Sequence, residues 1–211
     1  MRWAHLATHG FFADPSIRSV LQLSAKDYER GRLGERIGAG ARSPLVLSGL
    51  VLAGVNLPLK DPEKQDGGIL TAEAIAGLNL DKLELAVLSA CETALGEVAG
   101  GEGVFGLQRA FHIAGAKNVI ASLWKVDDEA TAALMSLFYH NLWREKLPAL
   151  EALRQAQLTL YRHPERITAL ARERGPDFEK TARLPPANGS ASARRAPARL
   201  WAGFVLSGPG R

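Results

Sequence analysis

The sequence predicts an α/β domain in which a mainly parallel sheet is flanked by helices. Two observations lead there. Short apolar strand-like runs alternate with segments of helical periodicity along the chain. One of those runs, Leu83 to Ala90, is apolar throughout except for Glu84 and Ser89, as expected of a central strand buried on both faces.

The elements follow in order. Residues 2–9 read as one short buried strand that begins almost at the first residue. No earlier strand and crossover precede it, so it is expected at a sheet edge, with N-terminal strands of the fold missing. Residues 24–43, rich in Gly, Arg and Ser, read as a mobile loop. Leu45 to Val55 is strand-like, with breaks at Gly49 and Gly54. Thr71 is placed to cap a short helix that Gly77 stops, and Glu73 suits its first turn. After Leu83–Ala90, a glycine-rich stretch from Gly96 to Gly103 leads into a helix. Val104, Leu107, Phe111 and Ala114 give that helix its apolar spacing, and Gly115 ends it. Asn118 to Trp124 is a further strand. Asp127 caps the next helix, whose stripe is Leu134, Leu137 and Phe138. Pro148 opens another that runs to about His163. Residues 164–199 lose their pattern and read as a disordered insertion. Leu200 to Leu206 is a last strand. The whole is read as a single domain without internal repeats.

Composition narrows the function. The 211 residues suffice for one sizeable core. The net charge of +4 is unevenly spread: residues 1–161 carry 16 Lys and Arg against 18 Asp and Glu, and residues 162–211 carry 10 against 4. The basic excess thus belongs to a Pro/Ala/Arg-rich stretch, which reads as a solvated linker. No nucleic-acid partner is expected. A single cysteine excludes an internal disulfide and multi-thiolate zinc sites, and suits a reducing compartment. The five histidines lack metal-ligand spacing, so neither metal nor cofactor is expected. The longest apolar run, Leu45 to Leu59, is short and broken, and the first residues lack the regions of a signal peptide. The expected location is the cytoplasm, with no membrane partner.

Cys91 follows a buried strand and precedes a turn. In parallel sheets, catalytic groups gather at carboxyl ends of strands. His9 also ends a strand in this reading, and Gly10 lets backbone approach a substrate closely. A nucleophilic thiol needs a base in hydrogen-bond reach, which need not be near in sequence. By its position alone, Cys91 also suits a buried, unreactive small hydrophobe at a strand end. His5, deeper on the same strand face, and His112, beside core residue Phe111, are read as structural. Gly101-Glu102-Gly103-Val104-Phe105-Gly106 fits a dinucleotide fingerprint only formally. It stands about ten residues beyond the strand it should follow, and Glu102 would face the phosphates. There is no Gly-x-Ser-x-Gly elbow.

Ala7-Thr8-His9-Gly10-Phe11-Phe12 resembles the histidine motif of the CHAT family, and Val87-Leu88-Ser89-Ala90-Cys91-Glu92-Thr93-Ala94 its cysteine motif. The likeness continues through Gly101–Val104, Ala110-Phe111, Ala114–Ala116, Ser122–Thr131, Ala152–Gln157 and Trp201–Gly208. The family is similar to caspases and separases. The resemblance implies a caspase–haemoglobinase-like fold and a His/Cys dyad that cleaves peptide bonds through a thioester acyl-enzyme. His9 is then the general base and Cys91 the nucleophile, with the backbone N–H groups of Gly10 and Cys91 as oxyanion donors. The strict caspase cysteine signature is absent and the His-to-Cys gap is longer, which argues against aspartate specificity. Leu123 to Asp128 resembles a separase segment whose acidic residue helps bind a basic side chain, making Asp128 a substrate-binding candidate. Asp127 and Asp128 also suit simple helix capping. The implied partners are a protein or peptide substrate, and tetratricopeptide-repeat regions upstream or in a partner. The other reading is a non-catalytic interaction module that keeps the fold.

Overall fold

The computed structural model describes residues 2–12, 45, 48–53, 68–89, 91–92, 102–173, 175–183 and 195–211. The chain divides into two compact units, Met1–Trp124 and Lys125–Arg211.

In the first unit, β1 (Trp3–Leu6), β5 (Leu85–Leu88) and β7 (Asn118–Ser122) form a parallel array with β5 in the middle. All four residues of β5 and all five of β7 are buried, which explains why both read as unbroken apolar runs. The β1–β5 register is held at its start by backbone and side chain together. Glu84 N donates to Arg2 O at 2.7 Å, and the Arg2 guanidinium meets the Glu84 carboxylate at 2.8 Å. Among the described residues β1 lies at the edge of its sheet.

A second sheet of the same unit runs in the order β4 (Ile69–Thr71), β3 (Ser48–Val51), β2 (His9–Phe12), β6 (Cys91–Glu92). β3 is antiparallel to both β2 and β4, and β2 is parallel to β6. Residues 2–9 are therefore not one strand. The chain leaves the first sheet after Leu6 and enters the second at His9. Both strands are short and apolar, so nothing in the local pattern marks the step. Gly49 likewise does not break its strand. A Cβ there would lie 2.7 Å from Leu70 O and 2.8 Å from two carbons of the Phe11 ring. The glycine answers a close approach between strands, not a turn.

Two helices cover these sheets. α1 (Ala72–Ala76) starts at Thr71, whose hydroxyl accepts from Ala74 N at 3.1 Å, and ends at Gly77. α2 (Glu102–Ile113) packs against α1, β7 and β3. Gly115, at φ +105°, ends it with its α-carbon against Asp81, where a Cβ would not fit. Leu50, Ile75, Ala86, Leu88, Leu107, Phe111 and Val119 share one core that joins both sheets to both helices.

The second unit is mostly helical. α3 (Asp128–Trp143) packs on α4 (Ala149–Arg162) and α5 (Ile167–Arg172). Phe138, Leu160 and Leu170 are fully buried, and Ala152 and Ala156 allow close helix approach. α4 starts after Pro148, as its fixed φ favours. β8 (Phe204–Ser207) is tied to α4 by Gln157 Nε2, which donates to Phe204 O at 2.8 Å. The expectation of disorder over 164–199 is corrected for its first half. Residues 164–166 form a 3-10 turn, followed by α5 and then α6 (Gly175–Ala182). Ile167, Leu170, Ala171 and Phe178 are buried there. Arg, Glu and Pro dominate the composition, but these few apolar residues supply the stripe. Residues 184–194 and the expected mobile loop 24–43 lie outside the described residues. The chain is a mixed α/β protein with a parallel sheet flanked by helices. No helix of the described residues is long and apolar enough to cross a membrane.

Candidate active site

The site is built by two strand steps made in concert. β1 continues into β2 through Ala7 and Thr8; β5 ends at Leu88, and β6 begins at Cys91. Before the step Leu6 is the register partner of Leu88. After it His9 is the partner of Cys91 and Gly10 of Glu92. The two segments thus keep their mutual register from one sheet to the other. They stay joined at the step, where Ser89 N donates to Leu6 O at 3.1 Å. Adjacent strands lie about 4.8 Å apart, so residues 82 positions apart in sequence become backbone neighbours.

His9 opens β2, which corrects the expectation that it ends the strand 2–9. It is exposed, whereas Gly10 is buried and Phe11 half-buried. β2 is the inner strand between β3 and β6, so His9 has Val51 opposite on one side and Cys91 on the other. The side chain of Thr8 donates its hydroxyl proton to the Val51 carbonyl. Thr8 was not singled out from sequence. Its signal is its place inside the quoted Ala7–Gly10 motif, next to the expected base.

His5 lies on β1, opposite Val87, and is not on the strand that carries His9. Desolvation holds its imidazole below the usual histidine range. His112 donates from Nδ1 to the Ala116 carbonyl at 2.9 Å, which fits its structural reading.

The remaining candidate belongs to the second unit. Asp127 is the N-cap of α3 and accepts from Ala130 N at 2.8 Å, as its sequence position suggests. Asp128 occupies the first turn of that helix and is exposed. A carboxylate there also suits the positive end of the helix dipole. The structure brings His9, Gly10 and Cys91 together, and describes Asp128 within its own unit alone. Among the described residues no group of three or more His, Cys, Asp or Glu is arranged to hold a metal ion.

The model of the CHAT domain family matches residues 1–209. No curated protein and no solved structure gives a significant match. The match runs through both units and includes both motif segments, and on it the chain belongs to the CHAT domain family, whose members are caspase-like and peptidase-related.

Proposed function

We propose that the chain acts as a cysteine peptidase with His9 and Cys91 as its dyad. The observation that carries this reading is the shared register of the two residues on adjacent parallel strands. Partners in register project to the same face of a sheet. The His9 imidazole takes the proton of the Cys91 thiol, and the thiolate attacks the carbonyl carbon of a peptide bond. The tetrahedral oxyanion is held by the N–H groups of Gly10 and Cys91. Gly10 lies in an inner strand, where an N–H ordinarily goes to a neighbouring strand. Its role therefore requires that this N–H face away from the ladder. Collapse of the intermediate breaks the C–N bond. The leaving amine takes the proton from His9, and a thioester remains on Cys91. Water, deprotonated by His9, then releases the acid and restores the thiol.

The mechanism calls for no cofactor, and a reduced thiol suits a cytoplasmic setting. The substrate class is a protein or peptide, and the resemblance implies tetratricopeptide-repeat regions upstream or in a partner. Asp128 remains the candidate for a basic substrate side chain, on the strength of the separase-like segment that contains it.

A mixed peptide library incubated with the protein and read by mass spectrometry tests the reading. Cleavage products are expected from the wild type. None are expected from Cys91→Ala or His9→Ala variants of equal thermal stability. Equal cleavage by the variants would refute the dyad. Peptides bound without any cleavage would favour the non-catalytic interaction module.

A further inference from the structure

The geometry points to Thr8 as a positioning residue that locks the catalytic histidine strand in register. This inference rests on the dyad reading. The chain crosses from one sheet to the other in two residues, Ala7 and Thr8, and His9 is the next. The β1–β5 pairing ends at Leu6, so the register of His9 itself is set by the strands on either side of β2. The pairing of β2 with β6 is two residues long, His9 with Cys91 and Gly10 with Glu92. The antiparallel pairing with β3 is longer, from His9–Val51 to Phe12–Ser48. The position of His9 is thus set chiefly from the β3 side. There the Thr8 hydroxyl bonds the carbonyl of Val51, the residue directly opposite His9.

The bond matters because of the period of a strand. A slip of one residue turns every side chain to the other face. His9 would then leave the face of its β6 partner, and Gly10 would take its place. The Thr8–Val51 bond opposes that slip at the point where it would begin. It is partly shielded from water, and without the hydroxyl the Val51 carbonyl loses that partner. Thr8 is assigned no contact with substrate or thiol; it acts through His9.

The test uses the rate of Cys91 alkylation by iodoacetamide against pH, since a thiol paired with a base reacts faster near neutral pH than a free one. Four proteins are compared: wild type, His9→Ala, Thr8→Val and Thr8→Ser. Thr8→Val keeps the shape and removes the hydroxyl; Thr8→Ser keeps the hydroxyl. Thr8→Val is expected to lose roughly tenfold in rate at neutral pH and to shift its pH profile towards that of His9→Ala. Thr8→Ser is expected to keep the wild-type profile. In peptide cleavage, Thr8→Val should lower kcat and leave KM within about twofold. Should Thr8→Val fail to fold, Thr8→Ala against Thr8→Ser makes the same comparison. A His9→Ala profile identical to wild type refutes the dyad, and the positioning role with it. A His9→Ala profile that changes while Thr8→Val, or Thr8→Ala in its place, keeps the wild-type profile refutes the role of Thr8 alone, as does a Thr8→Ser variant that behaves like Thr8→Val.

Discussion

Replacing Gly49 by alanine adds one methyl group to the strand that supports His9. At its ideal place that methyl carbon lies 2.7 Å from Leu70 O and 2.8 Å from Cε1 and Cζ of Phe11. All three contacts are below the separation that side-chain carbons tolerate. The oxygen is backbone, held in the β3–β4 pairing, so it cannot move cheaply. The ring belongs to Phe11, the register partner of Gly49 on β2 and two residues beyond His9. Overpacking of this kind costs about 1–3 kcal/mol. Loss of glycine's freedom in the unfolded chain offsets about 0.4–1 kcal/mol. The net expectation is a loss of about 1–2 kcal/mol, or several degrees in Tm. Gly77→Ala is the internal control. A Cβ there would meet Ala74 O at 3.5 Å, an ordinary contact, and its φ of −81° suits alanine. That variant should be neutral or slightly more stable. Thermal unfolding followed by far-UV circular dichroism reads both. A Gly49→Ala protein as stable as wild type would show that β2, β3 and β4 do not pack as described.

Two further expectations concern the second unit. Asp128→Asn should lower kcat/KM for peptides with Arg or Lys on the acyl side of the cleaved bond by about tenfold or more, the worth of one charge-assisted hydrogen bond. Fluorogenic peptides varied at that position decide it, and indifference to Arg against Leu would leave Asp128 as a residue of a helix first turn. Burial pushes the Tyr139 hydroxyl up to about 12, so its phenolate is disfavoured in the folded protein. That contribution to stability is intact below about pH 10, the unfolded value, and is lost as pH rises towards 12. An ultraviolet titration should show a late phenolate phase that is absent from Tyr139→Phe; a late phase that survives in Tyr139→Phe, or none in the wild type, would contradict the burial.

The sequence announced what local chemistry controls. The apolar run at Leu83–Ala90 became β5, and the Thr71, Asp127 and Pro148 boundaries lie where capping and proline geometry put them. Gly115 ends its helix in the left-handed conformation that glycine permits. What stayed hidden is non-local. Leu6 and His9 belong to different sheets, but no turn residue separates them, so the step reads as continuous strand. Gly49 looked like a break because the Phe11 ring that requires it is 38 positions away in the chain. Helices α5 and α6 escaped notice because a stripe of four buried apolar residues is diluted among Arg, Glu and Pro. The pairing of His9 with Cys91 was reached through motif resemblance; its physical basis, two strands stepping together, needs both strands to be seen at once.

Trapping of the acyl-enzyme reads the His9–Cys91 dyad at its first covalent step. An activated peptide ester is mixed with the protein, quenched in acid within milliseconds to seconds, and the intact mass is followed. A mass increase equal to the acyl group is expected, mapped to Cys91 and formed at least about a hundredfold more slowly in His9→Ala. Acylation of Cys91 at the same rate with and without the His9 imidazole, or acylation elsewhere in a Cys91→Ala protein at the wild-type rate, would contradict it.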